Sequence, residues 1–318
     1  MIEHDNLSKL RQDFDTFYFQ RLYPKLLELE ESRLKRIRQF CILFFIMCCA
    51  LPCFIVKMFG NWIYLIVTQG SSEDIESILK LGLLIFAVIV AVVSHPVISY
   101  KANVKSSIID DFINFFGSFR HSTLDRIDDN IIKESLLVGN YNRHYSNDYF
   151  SGTYKNTTMV ISEEEFVVKG RKSSRTVFKG ILIYLNFPKS FDSKTIVFKD
   201  WGVFNFIKSA TMNLEKVKLE DVLFEKKFEV FSSNQIEARY LLTTAFMERI
   251  LKVKDCFNGK KIQFSFFDNK LLITIHTTKD MFEPASLFKC STNRQPINDV
   301  LEQFISIFNI VDLLKLTR

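Results

Sequence analysis

Glycine is scarce in this chain, with 10 residues among 318, and the glycine-dependent signatures of several enzyme classes are missing. No glycine-rich loop follows a predicted strand and opens a helix, so a phosphate-binding loop is not indicated. The nucleophile pattern Gly-x-Ser-x-Gly is absent as well. These absences make an enzyme less favoured, and they leave a membrane-tethered enzyme open as an alternative.

Metal-ligand spacing is also missing. The five histidines include no pair at helical ligand spacing and no HExxH arrangement, and the six cysteines include no Cys-x-x-Cys pair. Residues 162–165, Ser-Glu-Glu-Glu, are acidic, but consecutive carboxylates on a strand would point to alternate faces. We therefore predict a solvated acidic turn at residues 162–165, with no metal and no cofactor.

Charged residues are nearly absent from two apolar runs, residues 40–56 and 78–99. A bilayer core about 30 Å thick needs roughly 20 apolar residues in a helix. The first run has no charge before Lys57, and Lys80 is the one charged residue in the second. We predict a two-span transmembrane hairpin over residues 39–100, with a buried hairpin of a water-soluble protein as the less favoured alternative.

Lysine and arginine are absent from the segment that joins the two runs, residues 60–77. Basic side chains crowd the outer ends of the runs instead: Arg33, Lys35, Arg36, Arg38, Lys101 and Lys105. Because basic residues stay on the cytoplasmic side, both termini are predicted to be cytoplasmic.

Apolar residues at helical spacing flank the hairpin on both sides. Residues 1–38 are predicted to form amphipathic cytoplasmic helices, with Asn6 as a cap and Pro24 opening a second helix. Residues 101–138 are predicted to form juxtamembrane helices, the first extending through Phe119. The two helical stretches either pack together as a stalk or lie flat on the bilayer.

A soluble domain is predicted over residues 139–318, where short β-rich runs alternate with turn residues. Asp268-Asn269 indicates a hairpin, and Gly180 indicates a bulge or a close backbone approach. Helices are predicted over residues 234–253 and 297–316. The expected fold class is α+β: the transmembrane hairpin and stalk, then a mostly antiparallel sheet with helices packed on it.

The net charge of +6 arises entirely after residue 100, where 32 basic side chains face 26 acidic ones. The densest group is Lys169, Arg171, Lys172 and Arg175. A solvated hairpin tip is the favoured interpretation, and contact with lipid or another anion is the alternative. Nucleic acid needs a denser basic patch and is not expected as a partner.

A second group of charged residues follows later in the chain, at a strand end and the start of the next helix. Its members are Glu220, Asp221, Glu237, Arg239 and Tyr240. A carboxylate can orient a guanidinium through paired hydrogen bonds, which suits a catalytic or binding site. An ion-pair network that fixes the helix on the sheet fits the same residues and is favoured.

These residues also carry a family resemblance. Gln235-Ile-Glu-Ala-Arg-Tyr240 and its flanks, with Phe178-Lys-Gly180 upstream and Phe282-Glu-Pro284 downstream, resemble the bacterial membrane proteins grouped as domain of unknown function 3137. The resemblance covers roughly residues 149–288. It implies a membrane-anchored bacterial protein and assigns no catalytic residue. With the two predicted spans, the expected location is the bacterial inner (cytoplasmic) membrane, with a multi-pass topology.

The favoured function is therefore that of a membrane-anchored protein whose cytoplasmic domain binds another protein or the lipid surface. The expected partners are the lipid bilayer and a protein, and a homo-oligomer is left open. The alternatives are a membrane-tethered enzyme that uses the Glu/Arg group and an effector that acts in a host membrane.

Overall fold

A computed structural model describes residues 2–67, 72–199, 214–256, 261–314 and 316 of the chain. They form long N-terminal helices followed by an antiparallel sheet with packed helices, so the predicted α+β class is confirmed. The chain divides into two compact units. The helical unit comprises Met1–Ile109 and Glu283–Asn298, and the sheet unit comprises Asp110–Phe282 and Asp299–Arg318.

The N-terminal helices are α1 (Ile2–Phe17), a π-helical turn (Tyr18–Leu22), α2 (Tyr23–Val67) and α3 (Ser72–Asn114). Asn6 lies inside α1 and not at its cap, because the helix already includes Ile2. Pro24 follows the π-helical turn within a continuous helical stretch, so the prediction that it opens a separate helix is wrong. The π-helical turn lies where the missing N–H of Pro24 interrupts the regular hydrogen-bond pattern. The predicted connection at residues 60–77 is helical through 67 and from 72, and residues 68–71 lie outside the described residues.

Helices α2 and α3 are each long and apolar enough to cross a membrane. Their most apolar windows have mean hydropathies of 2.5 and 2.6, and only 0% and 11% of those windows are buried. Large apolar side chains therefore stay exposed, such as Phe45 at 68% and Val56 at 72%. Exposed apolar surface of this extent marks an interaction with lipid or with another protein.

The helical unit has a buried core away from these apolar windows. Its members on α1, α2, α3 and the π-helical turn include Phe14, Tyr18, Leu22, Leu26, Tyr100, Val104 and Ile108. Lys25 Nζ donates to the carbonyl oxygen of Ser107 at 3.2 Å, so α2 and α3 pack together here, as predicted for a stalk.

The second segment of the helical unit, Glu283–Asn298, is attached to these helices by polar contacts. The backbone N–H of Ser291 donates to Glu30 at 2.7 Å, and its hydroxyl lies 2.7 Å from the Tyr100 hydroxyl. Lys105 Nζ donates to Glu283 at 2.9 Å. Residues far apart in sequence thus complete the helical unit.

Nine strands of the described residues form one sheet in the order β1-β2-β3-β4-β9-β8-β5-β7-β6, with every pair antiparallel. The strands are β1 (Ser118–Ser122), β2 (Arg143–Tyr154), β3 (Thr157–Lys169), β4 (Ser174–Asn186), β5 (Thr195–Lys199), β6 (Glu215–Val217), β7 (Phe228–Ser232), β8 (Ile262–Phe267) and β9 (Lys270–His276). The remaining helices are α4 (Asp129–Ser135), α5 (Val222–Glu225), α6 (Gln235–Leu241), α7 (Thr244–Cys256) and α8 (Arg294–Leu313).

Two predicted helices differ from those observed. The helix predicted through Phe119 ends at Asn114, and Phe119 lies in β1 opposite Gly152, because β1 pairs along β2. The helix predicted over residues 234–253 is broken after Leu241, so α6 and α7 are separate.

Two predicted turn features are confirmed. Asp268 and Asn269 have φ of 49° and 54° and join β8 to β9, as a tight hairpin requires. A Cβ at Gly180 would overlap the carbonyl oxygen of Ile275, so this glycine permits the close approach of β9.

The two faces of the sheet have different cores. One face packs against the region of α4 and is called the α4 face; its strand residues include Phe166, Phe178, Leu182, Phe267 and Leu272. The opposite face is rich in phenylalanine, where Phe150 contacts Phe282 and Phe304 at centroid distances of 5.1 and 5.3 Å. Alternation along each strand decides which face a side chain joins.

Candidate functional site

The predicted charged group lies on both sides of β7 in the chain. Asp221 caps α5, where its Oδ1 accepts from the N–H groups of Leu223 and Phe224, both at 2.9 Å. Glu237 lies in the first turn of α6, and its carboxylate accepts from the backbone N–H groups of Asp192 and Ser193. Glu220 is exposed before α5. The carboxylates of Asp221 and Glu237 thus both bind backbone N–H groups.

The other two members of the group lie at the surface of α6. Arg239 donates to Gln235 at 3.4 Å, one turn earlier on the same helix. The ring of Tyr240 has Lys189 Nζ 4.6 Å from its centroid. Among the described hydrogen bonds and ion pairs, none joins Glu220 or Asp221 to Glu237 or Arg239. These contacts favour the structural alternative for the group.

Hydrogen bonding also favours the ionised form of Glu237. Contacts from Ser193, with the N–H of Asp192, lower the pKa of Glu237 and outweigh the opposite effect of its partial burial. A carboxylate that binds two consecutive backbone donors fixes the loop before β5 to the start of α6.

The basic group lies at the turn between β3 and β4. Lys169, Arg171, Lys172 and Arg175 are all exposed, and the N–H of Gly170 donates to Ser173 at 2.9 Å. The predicted solvated hairpin tip is therefore present. Whether it contacts lipid or another anion stays a prediction.

The predicted solvated turn at residues 162–165 is wrong. These residues lie within β3, and Glu163 and Glu164 are only 3% and 1% exposed. Glu163 accepts from the N–H of Met281 at 3.0 Å and from Asn147 at 3.1 Å. The strand continues because each buried carboxylate has partners on its own face of the sheet, which removes most of the cost of burying a charge.

Glu164 belongs to a hydrogen-bonded network on the α4 face, which we call the His144 network. Its centre is His144, whose Nδ1 lies 2.9 Å from Asp129 and whose Nε2 lies 2.7 Å from Glu164. Tyr141 donates to Asp129 at 2.6 Å, and Ser162 donates to Glu164 at 2.6 Å. The network thus connects the start of α4 to β2 and β3.

The two contacts of His144 constrain its protons. A ring nitrogen must donate to an ionised carboxylate, so the network holds either an imidazolium or a carboxylic acid. Burial acts to raise the pKa of Asp129, but the hydrogen bond from Tyr141 and the charge of His144 outweigh it and lower that pKa. Burial, and then the contact with Asp129, raises the pKa of Tyr141.

Access decides what the His144 network can do chemically. The hydroxyl that donates to the Glu164 carboxylate belongs to Ser162, and Ser162 is completely buried. A nucleophile must reach its substrate, so this arrangement suits a structural role that fixes α4 on the sheet.

A cleft of about 580 Å³ opens at the ends of β4 and β9. Phe178, Lys179, His276 and Thr277 are among its lining residues. Burial, with the nearby charge of Lys261, lowers the pKa of His276 to about 4, so its imidazole is neutral at pH 7. The cleft therefore combines a neutral histidine, hydroxyl groups and an aromatic ring.

His144 and His276 were missed as candidate site residues because their partners are distant in sequence. Asp129 and Glu164 lie 15 and 20 positions from His144, and Gln263 lies 13 positions from His276. No local spacing identifies such pairs. The apolar β-forming residues on both sides of the acidic run, Val160-Ile161 and Phe166-Val-Val168, were the available signal that β3 continues.

Comparisons with known proteins give one family and one structure. Residues 176–316 match the sequence profile of the family described as Protein of unknown function (DUF3137). This match begins later in the chain than the predicted resemblance, and it extends further, through α8. The Glu/Arg group and His276 lie within the match. The basic residues of the hairpin tip precede it: Lys169, Arg171, Lys172 and Arg175. No curated protein matches the chain.

Among solved structures, the chain is similar to the crystal structure of the mycobacterial trehalose monomycolate transport factor A, TtfA. The TM-score is 0.35 at 10% sequence identity, over 64% of this chain and 92% of the TtfA chain. A similarity at this level carries no argument about function.

Proposed function

We propose that this chain, which belongs over residues 176–316 to the DUF3137 family of unknown function, is a membrane-anchored binding protein. The observation that supports the anchor is the pair of apolar windows in α2 and α3, of which 0% and 11% is buried. Lipid is the solvent that removes such surface from water. The basic residues outside the two windows favour a cytoplasmic location for both termini, in the inner membrane of a bacterium.

Fractionation of cells tests the anchor. We expect the full chain in the membrane fraction after alkaline carbonate washing, with release by detergent. Reporter fusions after Arg318 and within the segment that joins α2 and α3 should be active on opposite sides of the membrane. Recovery of the chain in the soluble fraction, or an external C-terminus, contradicts the proposal.

The binding role is supported by the exposed face of α6. Ile236 is 80% exposed and Tyr240 57% exposed, one turn apart on the same face. Lys189 lies over the Tyr240 ring, and Arg239 is exposed next to it. Apolar side chains flanked by cations suit a protein partner that presents apolar residues flanked by carboxylates.

Site-specific photo-crosslinking in intact cells tests this surface. A crosslinking amino acid at position 236 should give a discrete product that the change Tyr240→Ser reduces. The same amino acid at Val222, which is also exposed but lies on α5, is the matched control and should give no such product. Equal crosslinking from both positions contradicts a specific surface on α6.

The hairpin tip supports a second contact, with anionic lipid. Four exposed basic side chains lie within seven residues of one turn, Lys169 to Arg175. Each well-placed lysine or arginine contributes up to about 1 kcal/mol near an anionic surface. Replacing Arg171 and Lys172 by Gln should weaken the binding of the chain in nanodiscs to added anionic vesicles, and raised salt should do the same.

A further inference from the structure

The α4 face of the sheet contains a group of buried polar residues in addition to the His144 network. Gln263 and Ser265 lie on the same face of β8, and Thr274 lies directly opposite Gln263 on β9. All three residues are completely buried. Within the described part of the chain, Gln263 Nε2, Ser265 Oγ and Thr274 Oγ1 have no hydrogen-bond partner. Since about nine in ten buried polar groups are paired, three orphaned atoms on neighbouring strands call for a binding partner.

His276 connects this group to the open cleft. It lines the cleft, and its Nε2 lies 3.4 Å from Gln263 Oε1. Because the amide oxygen of a glutamine only accepts, Nε2 carries the proton and Nδ1 is an acceptor. The orphaned amide nitrogen of Gln263 belongs to the same amide group as this oxygen, so the cleft-lining side chain of His276 connects it to the cleft.

A cation lies beside the same histidine. The N–H of His276 donates to the carbonyl oxygen of Lys261 at 3.0 Å, and strand alternation puts the Lys261 side chain on the face of Gln263. Burial lowers the pKa of Lys261, and no carboxylate contributes to that shift. Nearby carboxylates are engaged elsewhere: Glu164 with His144, and Asp280 with Lys179.

From this geometry we propose that Lys261, Gln263, Thr274, Ser265 and the cleft beside His276 form a binding site for a small oxyanion, a carboxylate or phosphate group. The site offers one ammonium, one amide NH₂ and two hydroxyls as donors, and no free carboxylate among the residues named here. Donors of this kind bind oxyanions with strong, charge-assisted hydrogen bonds. The site does not depend on membrane anchoring, so failure of either proposal leaves the other intact.

Calorimetric titration of the full chain in neutral detergent with inorganic phosphate tests the site, with acetate as a second probe. The wild type should bind one equivalent. Lys261→Met should weaken binding about tenfold or more, because it removes the charge and keeps the side-chain stem. The matched control is Lys270→Met, at the other end of the same face of β9, which should bind as the wild type does.

Thr274→Val distinguishes ligand binding from a structural role. It replaces an orphaned hydroxyl by a methyl group of similar size, so the free protein should keep or raise its melting temperature while phosphate binding weakens. A lower melting temperature would show that the hydroxyl is held by structural water and would overturn the proposal. Absence of binding by the wild type, or equal weakening by Lys270→Met, would overturn it as well.

The source of the oxyanion is distinguished by reconstitution. The chain reconstituted in nanodiscs of phosphatidylcholine alone should bind inorganic phosphate as the detergent-solubilised chain does. If nanodiscs that contain phosphatidate prevent this binding, and Lys261→Met no longer responds to phosphatidate, the ligand is a lipid headgroup. Equal binding in both nanodiscs assigns a soluble oxyanion.

Discussion

Glu164 and Glu237 are both carboxylates of the sheet unit, but their surroundings differ. Glu164 is buried within β3, with His144 and Ser162 as partners. Glu237 is half-buried at the start of α6 and accepts from two backbone N–H groups. Glu164 depends mainly on side chains, with one longer contact from the backbone N–H of Ile127 at 3.4 Å, whereas both contacts of Glu237 come from backbone groups that any sequence supplies. We therefore expect the loss of the Glu164 carboxylate to lower the free energy of unfolding more than the loss of the Glu237 carboxylate.

The largest effect is expected for Glu164→Ala. It leaves His144 buried without one of its two partners, a change that costs about 3–5 kcal/mol where the buried pair is charged. Hydrogen–deuterium exchange of the full chain should show faster exchange in β2, β3 and α4. Glu165→Ala is the matched control, since its carboxylate is about a third exposed and binds Thr176 at the surface. A control as unstable as Glu164→Ala would contradict the special role of the His144 network.

A smaller effect is expected from the neutral His276. Its pKa in the folded chain is about 4, below the value of about 6.5 expected when unfolded, so the unfolded state binds more protons between these values. Stability from this group is present above about pH 6.5 and falls as the pH drops towards 4. Between about pH 7.5 and 4.5 the loss should reach about 2–3 kcal/mol.

Urea unfolding of the wild type and of His276→Gln at both pH values measures this loss. The variant keeps a hydrogen-bonding group beside Gln263 but does not titrate. Its stability should therefore fall less on acidification than that of the wild type, by the difference given above. Equal acid sensitivity in the two proteins would show that His276 is free to take up a proton in the folded state.

Asp221→Ala should have a smaller effect again. It removes the N-cap of α5, and loss of a cap typically costs about 1 kcal/mol. Asp221→Asn is the matched variant, because asparagine also caps helices well and should restore most of the stability. Urea unfolding at neutral pH checks both. Similar losses in the two variants would mean that the charge of Asp221, and not its capping oxygen, is what matters.

The predictable features of this chain are those that depend on short-range patterns. The apolar windows of α2 and α3 and the Asp268-Asn269 turn follow from neighbouring residues, and so does the family signature around Gln235–Tyr240. The His144 network joins positions 129, 144 and 164, and the group around His276 joins β8 to β9. Such pairs form only when the strands take their register, which no local pattern contains. The acidic run of β3 was misassigned for that reason, because its partners lie on other elements.

The smallest effect is expected for Arg239→Ala. This guanidinium is exposed and its contact with Gln235 is long, so the change should alter the free energy of unfolding by less than about 0.5 kcal/mol. A stable variant makes Arg239 the member of the Glu/Arg group best suited to separate a functional from a structural role. Crosslinking from position 236 should then be compared between the wild type and Arg239→Ala. Loss of the product at unchanged stability would assign Arg239 to partner binding, whereas retention of the product together with a marked loss of stability would place it in the structural group with Asp221 and Glu237.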